Sequence, residues 1–277
     1  MRPLFGCVAL LLCACSGKQE PDAAAPPSRS ILKVCADPNN LPYSNAARQG
    51  FENKLADLIA RNLNAELAYY WQPQRRGYVR NTLKADACDV IIGVPSESDM
   101  LLTTIPYYRS SYVFVTRKGS GLHLRSMNSP ELRKIRVGVQ IIGDDYANTP
   151  PVHALAERGI IRNVSGYRVT DDYAKPNPPA RLIEAVSAGD VDVAIAWGPI
   201  AGYFTRQQSM PLEVTPIPED AGKPYLPFVF DISMGVRRGS ANLKRQLDAI
   251  IKTNSAQISG ILRSYGVPLV SSGTQGR

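Results

Sequence analysis

The sequence predicts an α/β protein of two similar lobes, each a mixed, mainly parallel sheet flanked by helices. Three observations carry this. Short apolar runs alternate with stretches of helical periodicity through most of the chain. The alternation restarts after Arg117. Each half also carries an Asp-Val pair opening a buried run: Asp89-Val90-Ile91-Ile92-Gly93 in the first, Asp192-Val193-Ala194-Ile195 in the second. A length of 277 residues fits about two domains. With 44% hydrophobic and 20% charged residues the chain can build a packed core.

In order, residues 1–14 read as a leader. Arg2 supplies a positive start, and residues 4–14 form an apolar run too short for a stable bilayer anchor. Residues 16–30, rich in Ala, Pro and Ser, read as a flexible tether. Residues 31–36 (ILKVCA) form a short buried strand, followed by a turn-rich stretch to Gln49. Residues 51–63 place Phe51, Leu55, Leu58, Ile59 and Leu63 on one helical face. A strand at 66–71, a helix at 78–84 and a buried strand at 89–94 complete a unit with parallel pairing and right-handed crossovers. A long strand at 110–117 closes the first half. The second half repeats the grammar: strands at 136–140, 166–170 and 191–197, and helices at 144–158, 179–188 and 199–207. A strand at 228–236 and one terminal helix at 242–264 follow, and the last residues (SSGTQGR) form a frayed tail.

Cysteine usage points to export. The run Leu12-Cys13-Ala14-Cys15-Ser16 resembles the lipobox of bacterial lipoproteins, which implies lipidation at Cys15. Ser16 then favours the outer membrane; ordinary secretory cleavage nearby is the competing reading. Cys7 and Cys13 leave with the leader, so Cys35 and Cys88 remain as a pair in an oxidising compartment. They form a disulfide or stay as two buried thiols.

Net charge is +8, but Lys and Arg are spread along the chain without a dense run, which argues against a nucleic-acid surface. The two histidines, His123 and His153, have no metal-ligand spacing, and no nucleophile elbow or phosphate loop is present. No enzyme activity, metal or cofactor is predicted. Ligands of open α/β sheets bind beyond the carboxyl ends of the strands. That rule selects Asp37, Asn40 and Tyr43 after the first strand. After the second it selects Trp71, Gln74, Arg75 and Arg76, and after the third Pro95 and Ser96. In the second half, residues 142–146, including Asp144 and Asp145, and Trp197 face the cleft. Plain packing competes at Trp71, Tyr43 and Trp197, and plain solvation at Arg75 and Arg76. Two cations at a helix start oppose its dipole, so Arg75 and Arg76 also read as a site for an anionic ligand or acidic partner.

Several runs then match a known family in order: Ala36-Asp37-Pro38, Leu41-Pro42-Tyr43-Ser44, Gly50-Phe51-Glu52, Thr104-Ile105-Pro106-Tyr107-Tyr108 and Gly189-Asp190-Val191-Asp192. Over residues 31–265 the chain resembles the family 3 extracytoplasmic solute-binding proteins. The resemblance implies the type II clamshell of periplasmic binding proteins. Lobe 1 is then 31–117 plus 225–265, lobe 2 is 118–224, and residues 266–277 are a tail. Tyr107 and Tyr108 join the cleft residues by the same match. Three departures stand out. Amino-acid binders of this type carry an Arg about nine residues before the Pro-Tyr, where this chain has Glu97. They carry an Asp where this chain has Trp197. They offer Gly-Thr where it reads Gly143-Asp144. The clamp for a zwitterion is therefore missing, and weak binding of free α-amino acids is expected.

A narrower match covers Trp71-Gln72-Pro73-Gln74-Arg75-Arg76-Gly77, Pro106-Tyr107-Tyr108-Arg109-Ser110-Ser111 and Ala196-Trp197-Gly198-Pro199. It resembles the solute-binding-like proteins associated with quinoprotein dehydrogenases, the accessory proteins of methanol oxidation (the MoxJ/XoxJ type). That implies a non-catalytic partner of a pyrroloquinoline-quinone-dependent methanol or alcohol dehydrogenase, or of its cytochrome. The alternative is the substrate-binding component of an ABC importer, acting with its permease on a small non-amino-acid solute.

Overall fold

A computed structural model describes residues 30–141, 148–168, 173, 175–219 and 225–271. The leader with Cys15, the tether, and Asp144 and Asp145 lie outside these residues. In chain order the elements are β1 (Ile31–Ala36), β2 (Asn39–Asn40), β3 (Ser44–Asn45), α1 (Phe51–Asn62), β4 (Glu66–Trp71), α2 (Tyr78–Asn81), β5 (Val90–Pro95), β6 (Leu102–Thr103) and β7 (Tyr108–Arg117). There follow β8 (Val137–Ile141), α3 (Pro150–Glu157), β9 (Val164–Arg168), α4 (Arg181–Ala188), β10 (Val193–Trp197), α5 (Gly198–Thr205), β11 (Leu212–Pro216), β12 (Val229–Val236), α6 (Ala241–Thr253) and α7 (Ser255–Ser264).

The main sheet runs β4-β1-β5-β12-β7-β10-β8-β9, with β11 also on β7 and β6 also on β12. β4, β1 and β5 are mutually parallel, as are β10, β8 and β9. β12 and β7 run antiparallel to their neighbours and join the two halves. The fold is thus α/β, built on one mixed sheet whose two parallel ends, β4-β1-β5 and β10-β8-β9, are joined through the antiparallel strands β12 and β7. β7 serves both halves. Its residues 108–111 pair with 229–232 of β12, and residues 112–116 pair with β10.

Each half has its own core. In the first, Val90 and Ile92 of β5 pack with Leu55, Leu58 and Ile59 of α1 and with Leu247, Ile251 and Leu262 of the terminal helices. In the second, Phe114, Val139 and Ile195 form one face, while Val113, Ala194 and Phe204 form the other. Opposite faces from successive residues are what the two-residue strand period requires.

Several expected elements change. The helix expected at 78–84 stops at Asn81, because the Thr82 hydroxyl donates to the Tyr78 carbonyl at 2.6 Å and the chain turns towards Cys88. The terminal helix divides at Asn254. The Asn254 side chain donates to the Ile250 carbonyl at 2.9 Å, competing with helical bonding, and a new helix starts beside it. The strand β11 was not expected. Pro211, Pro216 and Pro218 mask it, and it survives as an outer strand, where a missing N–H is tolerated.

The C-terminal segment is built into the fold as far as Val270. Val267 is buried, the Ser110 hydroxyl donates to the Pro268 carbonyl at 2.6 Å, and Val270 N–H donates to the Arg109 carbonyl at 2.9 Å. It runs across α5, where a Cβ at Gly202 would lie 1.9 Å from the Gly266 carbonyl oxygen. Only glycine at 202 permits this approach.

Cys35 and Cys88 form a disulfide across a sequence separation of 53 residues, with Cα atoms 5.5 Å apart. Closing a loop of that length restricts the unfolded chain by roughly 4 kcal/mol. The bridge fixes β1 to the turn that feeds β5. Replacing both cysteines by Ala is expected to lower stability by about 2–4 kcal/mol in denaturant titrations. A non-reducing digest should give the two residues in one linked peptide pair; two unlinked peptides would refute the bridge.

Candidate functional site

A cavity of about 410 Å3 opens where the two halves meet. Its walls come from six places. The turn after β1 gives Asn40 and Tyr43, and the start of α1 gives Glu52. The loop after β4 gives Gln74, and the end of β5 gives Gly93, Val94 and Pro95. The joining strands β7 and β12 give Tyr108, Tyr112, Phe230 and Ile232. β10 and α5 give Trp197 and Ile200.

The local chemistry explains the placement. The first amides of α1 need acceptors outside the helix. Phe51 N–H donates to the Pro42 carbonyl at 2.8 Å and Glu52 N–H to the Tyr43 carbonyl at 2.9 Å. Gly50 permits this, since a Cβ there would lie 1.9 Å from the Tyr43 oxygen. The turn carrying Tyr43 is therefore seated on the start of α1. Gly93 leaves a notch in β5 that the Glu52 carboxyl fills, and a Cβ at 93 would meet Glu52 Oε1 at 2.1 Å. On the other side, Trp197 packs edge-on against Tyr112 and Phe230, with ring centroids 5.2 and 5.8 Å away. The main-chain N–H of Trp197 donates to Gln140 Oε1 at 2.9 Å.

Of the residues expected from sequence, Asn40, Tyr43, Gln74, Pro95, Tyr108 and Trp197 line this cavity. Asn40 and Gln74 are linked by an amide–amide hydrogen bond of 3.0 Å. The others lie elsewhere. Asp37 is buried and structural: its carboxylate accepts the N–H of Asn39 at 2.8 Å and of Gln74 at 2.6 Å, pinning the 72–77 loop to the end of β1. Trp71 stacks on Tyr69 at 4.5 Å. Tyr107 is buried behind Tyr108, with its hydroxyl unpartnered. Arg75 lies over the Tyr173 ring at 5.1 Å, and Arg76 is exposed on the same loop. Neither cation is on the cavity wall, so among the described residues an anionic ligand finds no counter-charge there. Glu97, at the place of the clamp arginine, is exposed and also outside the wall.

Sequence reasoning missed Glu52, Gly93, Val94, Tyr112, Ile200, Phe230 and Ile232. A glutamate in the first turn of a helix reads as a favourable dipole partner, and the others read as strand or helix core. Among the described residues on the wall, Glu52 is the only acid, and none is a Lys, Arg or His. Burial raises its carboxyl from the usual 4.5 to about 8, and the like charge of Asp37 adds to this. Tyr43 and Tyr108 are raised well above the usual tyrosine value, chiefly by burial.

With this geometry in place, comparison with known proteins is direct. The family model of bacterial extracellular solute-binding proteins, family 3, matches residues 32–266. The chain belongs to that family. Protein MoxJ of Methylorubrum extorquens is 31% identical over 94% of this chain and 90% of its own length. The crystal structure of periplasmic binding protein XoxJ from Methylobacterium extorquens AM1 is 36% identical with a TM-score of 0.72, covering 87% of this chain and all of that one. MxaJ from Methlophaga aminisulfidivorans is 26% identical with a TM-score of 0.74, covering 86% of this chain and all of that one. Among the described residues no helix is long and apolar enough to cross a membrane.

The raised carboxyl has a consequence for stability. The unfolded chain releases the Glu52 proton near pH 4.5, while the folded chain holds it to about pH 8. Between these values the folded state binds more protons, so this residue lowers stability as pH rises and the loss is complete above about 8. Glu52→Gln is expected to match the parent in thermal unfolding at pH 4 and to exceed it at pH 8. Equal melting temperatures at both pH values would count against the burial described.

Proposed function

We propose that this family member is a non-catalytic, lipid-tethered accessory protein of a quinoprotein methanol or alcohol dehydrogenase. The observation that carries this reading is the wall of the cavity. Five aromatic rings and two amides line it, and the arginine-and-aspartate pair expected of a zwitterion site is missing. Similarity to XoxJ, MoxJ and MxaJ over nearly the whole of the described chain supports the same reading. In it, lobe 1 (31–117 plus 225–265) and lobe 2 (118–224) hold the partner, or a segment of it, in the cleft. Asn40, Tyr43, Gln74, Tyr108 and Trp197 are the contact residues within the cavity. Cys15 carries the lipid, and Ser16 directs the protein to the outer membrane. Several acyl chains on one residue make that anchoring nearly permanent, since each buried methylene adds roughly 0.8 kcal/mol.

A second reading, an importer's receptor for a small non-amino-acid solute, is favoured by the cavity itself. Its volume lies within the range of small-molecule sites.

Affinity capture with the mature protein in the host periplasm should recover a quinoprotein dehydrogenase or its cytochrome. Recovery of neither, together with micromolar binding of a small solute, would favour the importer reading instead. Cys15→Ala is expected to move the protein from the membrane to the soluble fraction; unchanged fractionation would remove the lipid anchor from the proposal.

A further inference from the structure

We infer that the cavity is a site for an organic ammonium group, seated against the aromatic rings of Tyr43, Tyr108, Tyr112, Trp197 and Phe230 with the Glu52 carboxylate as its counter-ion. This deepens the recognition role given to the cleft above, because it names the chemistry recognised there.

Glu52 is the acid of this wall. Among the described residues, nothing offers its carboxyl an ion pair or hydrogen bond that would hold its charge, and the charge acting on it is the like charge of Asp37. The titratable groups around it are Asp37, at the end of β1, and the phenols of Tyr43, Tyr69, Tyr78, Tyr107 and Tyr108. The nearby helix amides of Phe51 and Glu52 already donate to the carbonyls of Pro42 and Tyr43. Yet the carboxyl is held in one place by the notch at Gly93, and it faces the cavity. A fixed acid without a cation is costly unless a cation arrives with the ligand.

The rest of the wall fits that cation. Aromatic faces attract an ammonium group through the ring quadrupole, most strongly where water is excluded, and tryptophan is the best of them. Asn40 and Gln74 add amide groups at the edge. The wall holds no Arg, Lys or His among the described residues to repel a cation or to fix a carboxylate. The ligand is therefore an amine without a paired carboxylate. Two sources share this chemistry: a free alkylamine and a lysine side chain of a protein partner.

Binding changes the proton count. The empty site holds a proton on Glu52 up to about pH 8. An ammonium group expels that proton to solvent, so one proton leaves for each ligand bound at pH 7. Affinity should then rise about tenfold per pH unit below pH 8 and level off above it.

The test uses the mature chain in a Trp71→Phe background. The chain has two tryptophans, so Trp197 then reports alone. Butylammonium and acetyl-lysine-amide are titrated at pH 6, 7, 8 and 9, with butanol and butyrate as neutral and anionic controls. The expected result is binding of at least one amine in the millimolar range or tighter at pH 9, weaker by about a hundredfold at pH 6. Calorimetry in two buffers of different ionisation heat should show proton release at pH 7. Tighter binding of the lysine probe assigns the site to a protein partner, and tighter binding of butylammonium assigns it to a free solute. Glu52→Gln should abolish amine binding. Gly93→Ala should do so as well, by displacing the carboxyl without changing the charge. Retained circular dichroism in either variant shows that the fold is intact. The inference is overturned if neither amine binds at pH 9, if butanol binds as well as butylammonium, or if amine affinity survives in a folded Glu52→Gln variant. Loss of the inference leaves the accessory role standing wherever the dehydrogenase is still captured, and failure of capture leaves the amine titration untouched.

Discussion

The shared strand β7 is the constraint on which the molecule depends. Its ten residues run through both halves, laddered first to β12 and then to β10 and β11. Because side chains alternate along a strand, the register decides which rings meet. Tyr108 pairs with Ile232, and Tyr112 pairs with Trp197, so one face of β7 and its neighbours becomes the cavity wall. A slip of one residue would turn all of these away from it. Ser110 and Ser111, buried between the two tyrosines, are small for a related reason. A Cβ at Gly198 would already lie 2.6 Å from the Ser111 carbonyl and 2.8 Å from the Ser110 hydroxyl. The strand is thus closely packed at the point where the halves join, and Pro268 of the C-terminal segment closes it from outside.

The opposite wall rests on a second fit, between a turn and a helix end. The carbonyls of Pro42 and Tyr43 satisfy amides of α1 that would otherwise point at open space. That bond pair places Tyr43 and Glu52 side by side, and Gly93 receives the carboxyl. The arrangement works against stability above pH 4.5, as the raised proton affinity of Glu52 shows. A chain that places an acid in the Gly93 notch of β5, beside a cavity whose described wall holds no cation, keeps a local conflict where the fold alone needs none. Conflicts of this kind concentrate where a protein meets its ligand.

Most of the architecture was legible in sequence because it follows from periodicity. The face of Phe51, Leu55, Leu58 and Ile59 is the buried face of α1, and the run after Asp89 is the core strand β5. What was lost depended on side-chain hydrogen bonds that periodicity does not contain, such as Thr82 ending α2 and Asn254 dividing the last helix. The site was legible by half. The strand-end rule picks out Asn40, Tyr43, Gln74, Pro95 and Trp197 of the cavity wall, because it concerns topology. It also selected Asp37, whose carboxylate accepts two backbone amides, and Arg75, which lies over Tyr173, and neither is on the cavity wall. Glu52 and Phe230 escaped it because they belong to a helix start and a joining strand. What brings them to the cavity is contact distant in sequence.

The contacts at the mouth differ in kind from those at the joining strands. Asn39 donates to the Lys175 carbonyl at 2.9 Å and accepts from the Asn177 N–H at 3.1 Å, while Arg75 covers Tyr173 at 5.1 Å. These tie the 39–75 side of the cleft to the 173–177 segment through a few polar, partly exposed groups. Each such hydrogen bond contributes about 1 kcal/mol net, and an exposed cation–aromatic contact about 0.5–1. The ladder of β7 with β12 and the apolar packing behind it are far stronger in sum. Strain applied to the cleft therefore falls first on the mouth contacts, and the walls that carry Tyr108, Tyr112 and Trp197 keep their register. These polar contacts are of a kind that water replaces readily. The aromatic wall is set by the sheet itself, so recognition inside the cleft does not depend on how the mouth is held.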